Sequence, residues 1–343
     1  MANQRAANGL QGFSVSGLSE TGRGVACGLA KACETTQARA MQADIKNSPV
    51  AAAAFMVAAM ALIGVIDNFI VRLAETIGLW QFHVVRSAMM LPIVFLMSVI
   101  GLGQFGPQRL WAVVVRSLLI ATAMLFYFSA LALMPIAQAL AGLFTSPIFI
   151  LLITGLGMGQ RIGPWRVMAV ALGFTGILFV LQPDPQDFDW KILIPVVGGF
   201  FYALAAIATR SLCGGESTVA LLGGMTIALG LMGLTGVTVL HLYPMESVAG
   251  PAGFVTRGWV WPMDEAWIWV VVQAVGSVTA VFMLIKAYQL GEPSYVAVFE
   301  YSVMIFGPVF AWAVLGQGLG WWQIAGIGLI AFAGSIIALR SKA

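Results

Sequence analysis

Apolar residues in this chain come in long, nearly uncharged runs of about 20 positions, separated by short polar links. Such a run matches the roughly 30 Å hydrocarbon thickness of a bilayer at 1.5 Å per helical residue. Ten runs are read as spans, over residues 50–71, 80–102, 112–133, 136–158, 165–182, 191–209, 218–242, 266–289, 294–315 and 321–339. The runs do not alternate apolar and polar residues in ten-residue segments, as a membrane β-barrel would require. Helices, which satisfy their own backbone hydrogen bonds in lipid, are expected throughout. Residues 243–265, with Pro, Gly, Trp and acidic positions, read as the one long surface loop.

The pattern repeats. At an offset of 157 residues, Gly159, Gln160, Gly163 and Trp165 meet Gly316, Gln317, Gly320 and Trp322, and Ile148-Phe149 meets Ile305-Phe306. Ten spans in two copies give five per copy. Five is odd, so the second copy enters the membrane from the opposite face. The expected fold class is an all-α integral membrane protein of ten transmembrane helices in two inverted five-helix repeats. The expected divisions are a polar, disordered N-terminal tail over 1–47, a first repeat over 48–183 and a second over 184–343. The tail lacks any apolar period.

The runs Ala132-Leu133-Met134-Pro135-Ile136-Ala137-Gln138-Ala139, Thr145-Ser146-Pro147 and Gly159-Gln160-Arg161-Ile162-Gly163 resemble the EamA family of the drug/metabolite transporter superfamily. So do Gly173-Phe174-Thr175-Gly176 and Leu315-Gly316-Gln317. The resemblance covers about residues 50–340. It implies ten helices and the movement of small metabolites. The Gly-Glu turn usual in that family is Gly-Gln here, at Gln160 and again at Gln317, which makes the turn mainly geometric.

Composition agrees with the pattern: 60% of residues are hydrophobic and 9% charged, against roughly 25% charged in soluble domains. With the N-terminus in the cytoplasm, Arg109, Arg116, Arg161, Arg166, Arg210 and Lys286 join the tail's basic residues on that side. Arg72, Arg86, Lys191 and Arg257 remain opposite. The excess of Lys and Arg predicts an inner-membrane protein with both termini cytoplasmic. Cys27, Cys33 and Cys213 have neither disulfide-framework nor zinc spacing. No P-loop, H-E-x-x-H or G-x-S-x-G motif is present. These features predict no enzyme, no metal, no cofactor and no nucleic-acid partner. The expected partners are a small-molecule solute and the bilayer, and a homodimer is compatible with them.

Polar groups at membrane depth are costly and face protein or a water-filled cavity, so they are the candidate substrate-binding residues. Glu300, six residues into the ninth span, is followed by Tyr301. It serves as a proton-coupling or solute-binding carboxylate, or pairs structurally with Lys286. Asp67 and Arg86 should lie at equal depth in adjacent antiparallel spans, as a binding pair or as a structural ion pair. His83 shares the Arg86 helix face. Asn68, Tyr127, Gln138, Tyr202 and Gln273 can orient a solute or join helices by hydrogen bonds. The expected function is secondary transport of a small polar, amino-acid-like metabolite by alternating access, coupled to protons or exchange. The alternatives are efflux of lipophilic cations by the same fold, and a non-transporting membrane scaffold.

Overall fold

The structure is a computed structural model, and it describes residues 48–133, 136–182, 191, 193–316, 318 and 320–340. The tail expected over 1–47 lies outside them. The described residues all belong to one compact unit, Asn47–Ala343.

Among the described residues the apolar runs are helical, but several of the helices are broken. The first apolar stretch forms α1 (Pro49–Ile66), a 3-10 turn at Asp67–Phe69 and α2 (Ile70–Thr76). Then come α3 (Leu79–Val99) and α4 (Leu110–Leu133). The fourth stretch divides into α5 (Ile136–Leu143), α6 (Ser146–Leu152) and a π-helical turn at Ile153–Gly157, and α7 (Pro164–Leu181) follows. The remainder comprises α8 (Leu193–Ser211), α9 (Thr218–Leu242), α10 (Ala266–Leu290), α11 (Pro293–Glu300), α12 (Val303–Leu315) and α13 (Trp321–Arg340). By length and apolarity, eight helical stretches among the described residues can cross a membrane. Ser146–Gly157 and Pro164–Val180, from the fourth and fifth expected spans, are shorter apolar helices. The fourth is shortened by its own break.

The two breaks in the fourth and ninth stretches have one cause. Thr145 donates its hydroxyl to the Gly142 carbonyl at 2.6 Å, and its amide bonds the same oxygen at 3.2 Å. Ser302 does the same to Phe299, at 2.7 and 3.1 Å. A hydroxyl and an amide that take the carbonyl three residues back compete with the i→i−4 ladder and interrupt the helix. Both pairs are 157 residues apart. So are Gly159 and Gly316, which end their helices with φ of 65° and 67°. An L side chain is disfavoured in that left-handed region, and glycine is not.

α1 packs on α10, α11 and α12, while α8 packs on α4, α5 and α6; α3 lies along α9, and α7 along α13. The α7–α13 contact is close because a side chain is missing on each side. A Cβ on Gly326 would lie 2.5 Å from the Gly176 carbonyl oxygen. Outside, large apolar side chains such as Leu156, Leu231, Val314 and Leu339 are exposed. Inside, Arg86, Arg116, Gln273 and Glu300 are buried. This arrangement reverses that of a soluble protein and suits a lipid surround.

Candidate functional site

Asp67 reaches the interior because α1 tightens where it stands. The Ile70 amide bonds the Asp67 carbonyl rather than that of Ile66. The freed Ile66 carbonyl accepts a hydrogen bond from Gln273 Nε2, on α10, at 2.8 Å. Gln273 also faces the Asp67 carboxylate. Asn68, next in the turn, spends its amide on the Gly64 carbonyl at 2.6 Å, within its own segment.

Asp67 and Arg86 line one cavity of about 130 Å³, together with Tyr127, Gln273 and Glu300. Among the described residues no ion pair within 4 Å joins Asp67 to Arg86. The Arg86 guanidinium instead lies over aromatic faces, 5.0 Å from the Phe82 ring centre and 5.8 Å from that of Phe128. Its Nε is buried and has no hydrogen-bond partner among the described residues.

Glu300 reaches the same cavity from the last residue of α11. Its carboxylate accepts a hydrogen bond from the Tyr202 hydroxyl at 2.8 Å and a shorter one from Tyr288. It holds these two phenols rather than Lys286. Two hydroxyl donors stabilise a buried carboxylate where water cannot.

Arg116, counted in the sequence among the cytoplasmic-side charges and not among the candidate site residues, is 2% exposed and lines the cavity from α4. Its Nε donates to Thr209 Oγ1 and its Nη1 to the Leu221 carbonyl, both at 3.1 Å. A usable signal existed, since Arg116 stands 157 residues before Gln273, the polar residue already singled out in the second half. Tyr288, Ser146 and Ser277 were also missed. Each is a small or weakly polar side chain, for which sequence alone cannot separate cavity from interface.

The remaining expected residues lie elsewhere. His83 is fully buried against the rings of Phe82 and Phe128, with neither nitrogen partnered among the described residues, and is not among the residues lining the cavity. Tyr301 is buried under α7, where its ring occupies the space a side chain on Gly173 would need. Gln138 lies in α5, and its side chain is outside the described ones.

Polar contacts close both ends of the helix pair α9 and α10. At the start of α9, Thr218 Oγ1 bonds Gln289 Oε1 at 2.7 Å, and Gln289 Nε2 bonds the Glu216 carbonyl at 2.7 Å. Nearby, Arg166 pairs with Glu292 at 2.5 Å and donates to Ser294 Oγ at 2.8 Å. Beyond the end of α9, the loop over 243–265 is docked on the α2–α3 junction. Arg257 donates to the carbonyls of Ala74 and Ile77, at 2.7 and 2.9 Å, and to that of Gly250 at 2.7 Å. Gln81 and Val260 exchange two bonds of 2.8 Å. Phe254 is fully buried beneath the loop.

The bundle has an apolar exterior and a cavity lined by charged side chains. Residues 50–182 match the model of the EamA-like transporter family. This stretch is similar to that family. The chain is 36% identical over 151 residues to a riboflavin transporter of Rhizobium johnstonii, covering 41% of this chain and 50% of that one. It is 27% identical over 184 residues to a riboflavin transporter of Vibrio cholerae, covering 53% and 55%. These matches thus span about half the length of each relative. An S-adenosylmethionine uptake transporter of Rickettsia felis is 22% identical over 231 residues, covering 67% of this chain and 71% of that one. A solved crystal structure superposes with a TM-score of 0.68 at 16% identity, covering 87% of this chain and 98% of that chain. This last likeness is one of fold. The chain is a multi-pass membrane protein with transporters as its relatives.

Proposed function

We propose that this EamA-like protein is a secondary transporter that carries a small heterocyclic metabolite across the inner membrane by alternating access. The observation that carries the reading is the convergence of Asp67, Arg86, Arg116 and Glu300 on one cavity. Four ionisable side chains in an apolar bundle are expensive to keep, and a solute site explains their retention. The cavity's 130 Å³ is below the roughly 300–1,000 Å³ of typical ligand pockets, so it must widen to load a solute of that size.

Ten helices in two inverted five-helix repeats supply the moving parts. The paired breaks at Thr145 and Ser302, the paired glycines Gly159 and Gly316, and the reciprocal packing of α1 on α10–α12 and α8 on α4–α6 support this architecture. The distribution of Lys and Arg supports cytoplasmic termini, with Arg116 left out of the balance. Glu300 is the proposed carrier of a coupling proton.

Riboflavin and S-adenosylmethionine, named for the relatives, both contain fused heterocycles. They favour a heterocyclic solute over the simple amino-acid-like zwitterion that paired charges alone suggest. Efflux of lipophilic cations is the alternative reading, and neither relative's name supports it.

Counterflow in proteoliposomes tests the reading. Vesicles preloaded with unlabelled riboflavin or S-adenosylmethionine should transiently accumulate the labelled compound. Failure of both, and of a wider panel of metabolites, in vesicles holding folded protein would leave the scaffold reading standing.

A further inference from the structure

Resting on the transporter reading, we infer that Arg86, Asp67 and the Phe128 ring form a subsite that reads the carbonyl–N–H–carbonyl edge of a neutral planar heterocycle, a cyclic imide. Much of the hydrogen-bonding capacity in the cavity is already spent. Arg116 is engaged by Thr209 and the Leu221 carbonyl, and Glu300 is engaged by two tyrosines. Arg86 differs. It is 5% exposed, its Nε has no partner among the described residues, and no carboxylate there lies within 4 Å of it. A guanidinium buried in this way is costly until an acceptor reaches it. Its planar fork suits acceptor oxygens held in one plane.

The surroundings select among acceptors. Phe82 and Phe128 bracket the guanidinium at 5.0 and 5.8 Å, and Phe128 also walls the cavity. A flat ring entering along Phe128 would bring its edge to Arg86 and stack on the phenyl face. Asp67, which lines the same cavity, is an acceptor for an N–H beside the carbonyl. A neutral imide offers the acceptors to Arg86 and the donor to Asp67 without bringing a charge of its own. An amino-acid zwitterion could address the same two residues, but two further full charges would have to be stripped of water among apolar walls. The neutral edge is therefore favoured.

The test uses the full chain, purified in detergent, with 1-methyluracil and lumiflavin as probes. Each is compared with its N3-methyl form, which keeps both carbonyls and loses the N–H, and methionine serves as the zwitterion control. The N–H forms should bind at least tenfold more tightly than the N3-methyl forms. Arg86→Lys should weaken both N–H probes by at least tenfold. Asp67→Asn, which can still pair with an N–H but lacks the charge, should shrink the penalty of methylation. Equal binding of N–H and N-methyl probes overturns the inference, as does displacement of any bound metabolite by methionine alone or failure of every imide to bind. If counterflow of some solute persists in any of those cases, the transporter reading survives. Loss of all counterflow removes both.

Discussion

Arg116 and Gln273 stand 157 residues apart and make the same kind of reach. Arg116 crosses from α4 to Thr209 on α8, with Nε to Oγ1 at 3.1 Å, and Gln273 crosses from α10 to the Ile66 carbonyl at the end of α1, at 2.8 Å. Each ties the third stretch of one half to the first stretch of the other, and each lines the cavity. Interhelical hydrogen bonds in bilayers average about 0.6 kcal/mol and reach about 1.7. Gln273→Ala should fall in that range. Arg116→Gln should cost more, because it removes two charge-assisted hydrogen bonds at once, to Thr209 and to the Leu221 carbonyl. Denaturant melts in detergent compare the two, and a smaller loss for Arg116→Gln would place the clasp elsewhere.

Glu300→Gln keeps an acceptor for Tyr202 and Tyr288 but cannot carry a proton. The variant should fold, with a melting point near that of the parent, and should retain solute exchange. It should lose accumulation driven by a proton gradient. Full proton-driven uptake in the variant would exclude Glu300 as the coupling group. Tyr288→Phe leaves the carboxylate one donor short, and should cost roughly 1.5–3 kcal/mol, as for hydrogen bonds to charged groups.

Two glycines on one helix should respond in opposite ways to alanine. A methyl on Gly326 would press on the Gly176 carbonyl and on Val180, whereas one on Gly328 meets nothing within 4 Å. Overpacking should make Gly326→Ala destabilising by about 1–3 kcal/mol. Gly328→Ala should be neutral or stabilising by up to about 1 kcal/mol through helix propensity. Paired thermal melts read the difference directly.

Arg257 holds the long loop to the end of α2 through the carbonyls of Ala74 and Ile77, and braces the loop itself through that of Gly250. Partial burial lowers its pKa from the ordinary value, which leaves a guanidinium fully charged at neutral pH. Arg257→Lys places a single point charge where a fork spans several acceptors. It should loosen the loop by about 1.5–3 kcal/mol, seen as faster proteolysis within 243–265 while the helical core keeps its melting point. Unchanged cleavage would mean that Gln81 and Phe254 suffice.

Cys213 lies between the α8 and α9 stretches, fully buried. Burial pushes its thiol up from the ordinary value near 9 to about 11, against a smaller opposing pull from Arg116. Between those values the folded chain keeps a proton that the unfolded chain has released. Its contribution to stability is therefore complete below pH 9 and declines as pH rises towards 11. In a Cys27→Ser, Cys33→Ser background, maleimide should leave the folded protein unlabelled at pH 7, and labelling should follow unfolding. Rapid labelling of native protein would show the site to be open.

Much of the fold could be read from sequence because membrane insertion is governed by one-dimensional quantities. Run length, the absence of charge and the positions of Gly159 and Gly316 depend on the chain alone, since a helix in lipid satisfies its own backbone. The candidate site was legible in part for the same reason. Asp67, Arg86, Gln273 and Glu300 stood out as polar groups where polarity is costly. Which of them face one another was not legible. Asp67 stands in a 3-10 turn where it lines the cavity, and Arg116 was not singled out because a charge seven residues into a helix can snorkel outward or point inward at the same sequence position. His83, on the same helix face as Arg86, ended against Phe82 and Phe128 instead. The sequence determined that the chain spans a membrane, where its runs begin and end, and which polar residues carry an energetic burden. Only tertiary packing decided which polar residues share a cavity and which are spent on one another, because contacts between distant stretches depend on helix rotation and on breaks that hydropathy does not encode.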